Sequence, residues 1–168
     1  MTTSPLFTHE IADSSLTDEA QTSQSAPTLY ERDYFAWIEI TLGQLQKQNY
    51  DGVDWDNLIE EIEGMGRREK RRLKNNLVVV LLHLLKWQYQ SNRRSKSWAS
   101  SIVEHRGRIQ DDLADSPSLK PYLDEIYESA YARALKRAAL ETGLPETEFP
   151  ADCSYAIAQI LDDDFLPE

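Results

Sequence analysis

Little in this chain fixes a fold covalently or holds a hard ligand. A single cysteine, Cys153, leaves no internal disulfide and fits a reducing compartment. Nothing beside it in sequence supplies a base, so it reads as a small buried hydrophobe. Zinc spacing is missing, because there are no paired histidines and no second cysteine. Di-iron Glu-x-x-His spacing is missing too, since Val80 and Ile102 stand three residues before His83 and His105. The chain has no glycine-rich phosphate loop, no Ser/His/Asp order and no nucleophile elbow. Its longest apolar run, Leu77–Leu85, contains His83, ends at Lys86 and falls far short of the ~18 residues of a membrane span. The first 28 residues hold no Lys or Arg and no apolar stretch, which argues against a secretory signal. These absences set the expectations of no cofactor, no metal and no membrane.

What is present is charge, sorted into blocks. Residues 67–108 carry twelve Lys/Arg and two acids, between acidic flanks at 29–66 and 109–168, in a chain of net charge −11. A basic centre between acidic flanks either neutralises itself within the fold or serves an anionic partner. Residues 1–28 are rich in Ser, Thr, Gln and Ala without periodicity and read as a disordered tail, leaving 29–168 as one domain.

Periodicity in that domain is helical throughout, so the fold class is all-α: a single-domain bundle of five to six helices around a central buried helix at about 67–89. Asp33 caps a helix to about Gln48, with Phe35, Ile38, Leu42 and Leu45 as its apolar stripe and Trp37 widening it. Asn49–Gly52 is a turn. Trp55 to Met65 forms a short helix that Gly64 and Gly66 loosen or end. The next, Arg67 to Tyr89, is apolar nearly all round and belongs at the centre. Ser95 or Ser97 caps a fourth helix to about Ala114. A fifth runs from Ser118 to Glu141, ended by Gly143 and Pro145, and a short last helix from Ser154 to Leu161. Phe165-Leu166 is expected to clasp back onto the body.

Four sets of residues are candidates for chemistry. Glu60 and Glu63 share a helical side and, with His83, form the weakest catalytic reading, that of a carboxylate and base site. Arg67, Arg68, Arg71 and Arg72 form a basic patch, for which pairing with the adjacent acids is the plainer reading; Glu63 and Arg67 are spaced for it. Arg93, Arg94 and Lys96 sit at a helix start with Trp87 and Trp98 alongside, a combination that holds an anion or stacks on a base. The competing reading there is a cation–π and capping cluster that fixes the turn. His83 itself fits a buried, hydrogen-bonded core position.

Several segments also resemble a known family. Asp54–Gly66, His83–Gln90, Arg94–Trp98, Pro117-Ser118-Leu119, Glu141–Pro145, Phe149-Pro150 and Asp164–Pro167 together resemble the domain of unknown function family 29, which is abundant in cyanobacteria. The resemblance spans about residues 29–168. It implies an all-α fold and a bacterial cytoplasmic setting, and no activity. Ser91 and Ser154 depart from the pattern, standing where prolines usually follow the Gln and the Cys. The expected function is a non-enzymatic interaction or adaptor module with a protein partner. Nucleic-acid binding through 67–108 is the runner-up and an enzyme with a Glu/His site the third reading. The oligomeric state is left open.

Overall fold

The computed structural model describes residues 27–168, so the expectation of a disordered tail falls almost wholly outside the described residues. Among these there are helices and turns and no strand. They divide into two compact units, one ending at Asp54 and one beginning at Trp55.

In the first unit, α1 (Leu29–Arg32) starts at Thr28 with a reciprocal cap: Glu31 N–H donates to the Thr28 hydroxyl and Thr28 N–H donates to the Glu31 carboxylate at 2.7 Å. Asp33 ends α1 and caps α2 (Tyr34–Gln46), accepting from Ala36 N–H at 3.0 Å. Trp37 and Thr41 are the buried residues of α2. The Trp37 ring packs on Tyr30 and Tyr34, and its indole N–H donates to Asp54 at 3.1 Å. Of the expected stripe, Trp37 is buried and Leu45 partly so, while Phe35, Ile38 and Leu42 are exposed. Residues 34–46 are apolar on most sides, so periodicity alone did not distinguish the face that packs.

The second unit is built on α3, one unbroken helix from Trp55 to Tyr89. The expected break at Gly64 and Gly66 does not occur. A glycine stop needs a left-handed backbone, and among the described glycines only Gly143 has positive φ (75°). The Glu63–Arg67 ion pair at 3.1 Å bridges the stretch where the break was expected. The first buried residue of α3 is Leu73. From there Leu77, Val80, Leu81 and Leu84 are fully enclosed, so the central helix of the core is the second half of α3.

Two helices pack along that half. α4 (Lys96–Asp115) is capped by Ser95, whose hydroxyl accepts from Trp98 N–H, and runs antiparallel to α3, as the pairs Arg72–Asp112, Asn76–His105 and Lys86–Trp98 require. Pro117 sits in the turn that reverses the chain into α5 (Lys120–Thr142). α5 runs parallel to α3, with Lys74 on Ser129 and Lys86 on Glu141. Gly143 ends it, donating to the Ala139 carbonyl.

The remaining segment, with the short α6 (Ile157–Ile160), returns over all three helices. On α5, Tyr131 Oη donates to the Pro150 carbonyl at 2.7 Å and Tyr127 Oη to that of Tyr155. On α3, Gln88 accepts from Tyr155 Oη at 2.5 Å. On α4, the guanidinium of the buried Arg106 donates to the carbonyls of Ile160 (2.7 Å), Asp163 (3.2 Å) and Phe165 (3.1 Å). Phe165 packs edge-on against Tyr155, so the expected C-terminal clasp is present at that residue, while Leu166 is exposed.

Candidate interaction surface and polar seam

Because α3 is continuous, it sets the distances between the sequence candidates. Glu63 and His83 lie twenty residues apart on one straight element, roughly 30 Å. Glu60, Glu63 and His83 therefore do not converge, and the carboxylate-plus-base arrangement does not assemble. Among the described residues, no group of three His, Cys, Asp or Glu side chains could hold a metal ion.

The basic patch is largely paired at home. Arg67 meets Glu63, Arg68 meets Glu61 at 3.6 Å, and Arg72 bridges Glu69 (2.6 Å) and Asp112 (2.7 Å). Lys70 lies over the Tyr122 ring at 4.7 Å. The aspartate raises the Arg72 pKa through its hydrogen bond. Arg71 is exposed.

The second cluster separates by partner. Arg94 donates to the Trp87 carbonyl at 2.9 Å and lies over the Trp87 ring at 5.2 Å, bracing the turn after α3. Trp98 does not face that cluster. Its ring takes the Lys86 ammonium at 4.6 Å. Arg93 and Lys96 are exposed.

Trp98 instead belongs to a polar seam along α3. Lys86, almost wholly enclosed, donates to Glu141 at 2.7 Å. Burial pushes the Glu141 carboxyl up, but Lys86 and Arg137 hold it below its usual range overall. One turn back, burial and the Lys86 charge push His83 down to about 4. Its Nδ1 is buried and has no hydrogen-bond partner among the described residues. The expected buried position holds in part, without the expected hydrogen bond at that nitrogen. Further along, His105 Nδ1 donates to Asn76 Oδ1 at 2.8 Å, next to an open cleft of about 360 Å³ lined by Arg72, Asn76, Arg108, Asp111 and Asp112. Sequence reasoning missed Asn76, Lys86 and Arg106 as structural centres. A signal existed for two of them: Lys86 directly closes the apolar run, and Arg106 stands between Ile102 and Ile109 on their helical face.

The first half of α3 presents a different surface. No residue from Trp55 to Arg72 is buried, and Ile59, Ile62 and Met65 are 52%, 59% and 60% exposed. Leu58, Ile62 and Met65, with Ile59 beside them, lie on the helical face that Leu73, Leu77 and Val80 continue into the core. The α3 arm is thus a core-type stripe with no core over it.

The second unit is all-helical, with this exposed arm at the start of its longest helix. The chain belongs to the family described as domain of unknown function DUF29, whose model matches residues 29–166. No curated protein and no solved structure matches it. No described helix is long and apolar enough to cross a membrane.

Proposed function

We propose that the chain is a non-enzymatic interaction module of the bacterial cytoplasm, and that it engages a protein through the apolar face of the α3 arm. One observation carries this reading: the exposed run Ile59, Ile62 and Met65 on a helix whose other half is fully packed. Exposed apolar side chains in one stripe are costly to keep in water and mark a contact surface. A helix-in-groove or helix-on-helix contact suits them, because the anchors fall at i, i+3 and i+6/i+7 spacing.

The test is a partner recovered with the intact chain and then reconstituted from purified components. Ile62→Asp with Met65→Asp should weaken that binding by tenfold or more without lowering the melting temperature. Unchanged binding would end the reading. The nucleic-acid alternative would draw on the exposed Arg71, Arg93 and Lys96. It requires retention on DNA or RNA that falls with salt, with a log–log slope of about −0.9 per phosphate neutralised.

A further inference from the structure

We propose that the cleft between α3 and α4 lined by Arg72, Asn76, Arg108, Asp111 and Asp112 binds a free α-amino acid, its carboxylate on Arg108 and the Asn76 amide and its ammonium on Asp111. This site shares no residue with the apolar face of the α3 arm and does not depend on that face as a docking surface.

Asn76 supplies a donor with nothing to donate to. Its residue is 5% exposed, and its Nδ2 is enclosed without a hydrogen-bond partner among the described residues. A buried amide N–H left unpaired is expensive, and such a group calls for a specific cause. The other end of the amide, Oδ1, is held by His105 Nδ1 at 2.8 Å, and His105 is not a wall of the cleft. The side of Asn76 that remains for the cleft is therefore the one with the spare N–H groups.

With Nδ2 closed to water, one wall has to give when a ligand enters. Arg72 is fixed: it reaches both oxygens of Asp112, at 3.2 and 2.7 Å, and Glu69 at 2.6 Å. Arg108 is not. Among the described residues its ion pair is with Glu104, one turn back on the same helix, and both side chains are more than half exposed. Such a pair contributes little and is readily exchanged. A ligand carboxylate replaces the Glu104 carboxylate like for like, and the planar guanidinium can take it through two N–H groups.

The charges select a zwitterion over a simple anion. Both Asp112 oxygens are taken by Arg72. Asp111, one turn beyond Arg108 on α4, has no ion pair among the described residues, because Arg108 turns back to Glu104. Positions so spaced stand about 5–6 Å apart at Cβ. A cation and an anion thus lie side by side, unjoined, on the wall of one cleft. The head group of an α-amino acid carries the opposite pair on a single carbon and meets both. A dianion such as phosphate would set its charge against Asp111 and Asp112, with Glu69 and Asp115 also acting on Arg72. The cleft measures about 360 Å³, the small end of ligand sites, which run from about 300 to 1,000 Å³.

Calorimetric titration of the full chain with each of the twenty free amino acids tests this. At least one should bind in the micromolar-to-millimolar range. Its N-acetyl and amide derivatives, which lack the ammonium and the free carboxylate in turn, should bind roughly tenfold more weakly or worse. Asp111→Asn and Arg108→Gln should each lower the affinity by a similar factor. Both side chains are exposed, so circular dichroism and melting temperature should stay unchanged. Glu104→Gln releases Arg108 and should tighten binding severalfold, a change that a purely structural Arg108 would not produce. No binding of any amino acid at millimolar concentration overturns the proposal. So does an N-acetyl derivative or inorganic phosphate that binds as tightly as the free amino acid, or an affinity unmoved in both the Arg108 and the Asp111 variant.

Discussion

Arg106 offers the sharpest test of how this fold closes. Its side chain is 1% exposed, yet it holds three backbone carbonyls at 2.7, 3.2 and 3.1 Å. Burial lowers its pKa, and the nearby Asp163 and Asp162 raise it in part. The guanidinium is therefore a desolvated cation whose hydrogen bonds offset its loss of water. Methionine at this position fills similar volume but leaves the carbonyls of residues 160, 163 and 165 without donors. Hydrogen bonds to a charged group contribute about 1.5–3 kcal/mol each, so all three together set a gross ceiling of about 4.5–9 kcal/mol. The tail has an escape that lowers this figure: it can detach beyond Leu161, rehydrate the carbonyls of 163 and 165 and lose only the packing of Phe165 and Pro167, while Ile160 stays enclosed. Two partly buried side chains are worth about 2–4 kcal/mol by area. The smaller figure governs, so Arg106→Met should cost about 3 kcal/mol, which is roughly 10–15 °C in melting temperature for a unit of this size. Arg106→Lys keeps the charge but not the three-way fork and should lose at least half as much. Thermal unfolding gives the magnitude, and amide exchange at residues 160–166 shows whether the tail leaves first. If both variants melt within about 0.5 kcal/mol of the native chain, the ordinary range for surface changes, the fork does not close the fold.

Three further outcomes are expected. His83 titrates at about 4 in the fold against 6.5 as its ordinary value, so from pH 6.5 down to about 4 the unfolded chain takes up a proton that the folded chain refuses. Stability should fall as pH drops through that window, by about 3 kcal/mol at most, and His83→Gln should flatten the profile measured by denaturant titration at each pH. Lys86→Met and Glu141→Gln should each destabilise, and a double-mutant cycle should return a coupling of about 1–2 kcal/mol, because the ammonium is enclosed and the carboxylate partly so; a coupling near zero would make the contact incidental. Gly66→Ala should stabilise the chain by about 0.5–1 kcal/mol in thermal unfolding, since its Cβ meets open space in mid-helix; a loss of stability would show that the glycine is required there.

The pattern of apolar residues carried the helices well where one face was polar and poorly where it was not. Ser95, Asp33 and Gly143 act as the capping signals they resemble, since a hydroxyl, a carboxylate and a left-handed glycine each satisfy backbone groups locally, with no help from the rest of the fold. Gly64 and Gly66 misled because a glycine's effect depends on the backbone it adopts, and composition does not encode that choice. Side-chain partners from distant helices were illegible for the same reason. Nothing in the order of residues says that Trp98 will take Lys86 instead of Arg93, or that Arg106 will reach three carbonyls more than fifty positions away.

The basic centre changes meaning once these partners are known. Arg72 and Lys86 are structural cations committed to α4 and α5, Arg94 braces a turn, and Arg106 closes the tail. Arg67 and Lys70 differ. Arg67 is held by a solvent-exposed pair one turn away along its own helix, and Lys70 by an aromatic face. Exposed pairs of this kind contribute only about 0.3–0.5 kcal/mol. Arg71, Arg93 and Lys96 are exposed as well, and are scattered over separate elements instead of gathered in one patch. Much of the block is thus spent within the fold, which is why the proposed contact is placed on the apolar face of the α3 arm and not on the twelve cations.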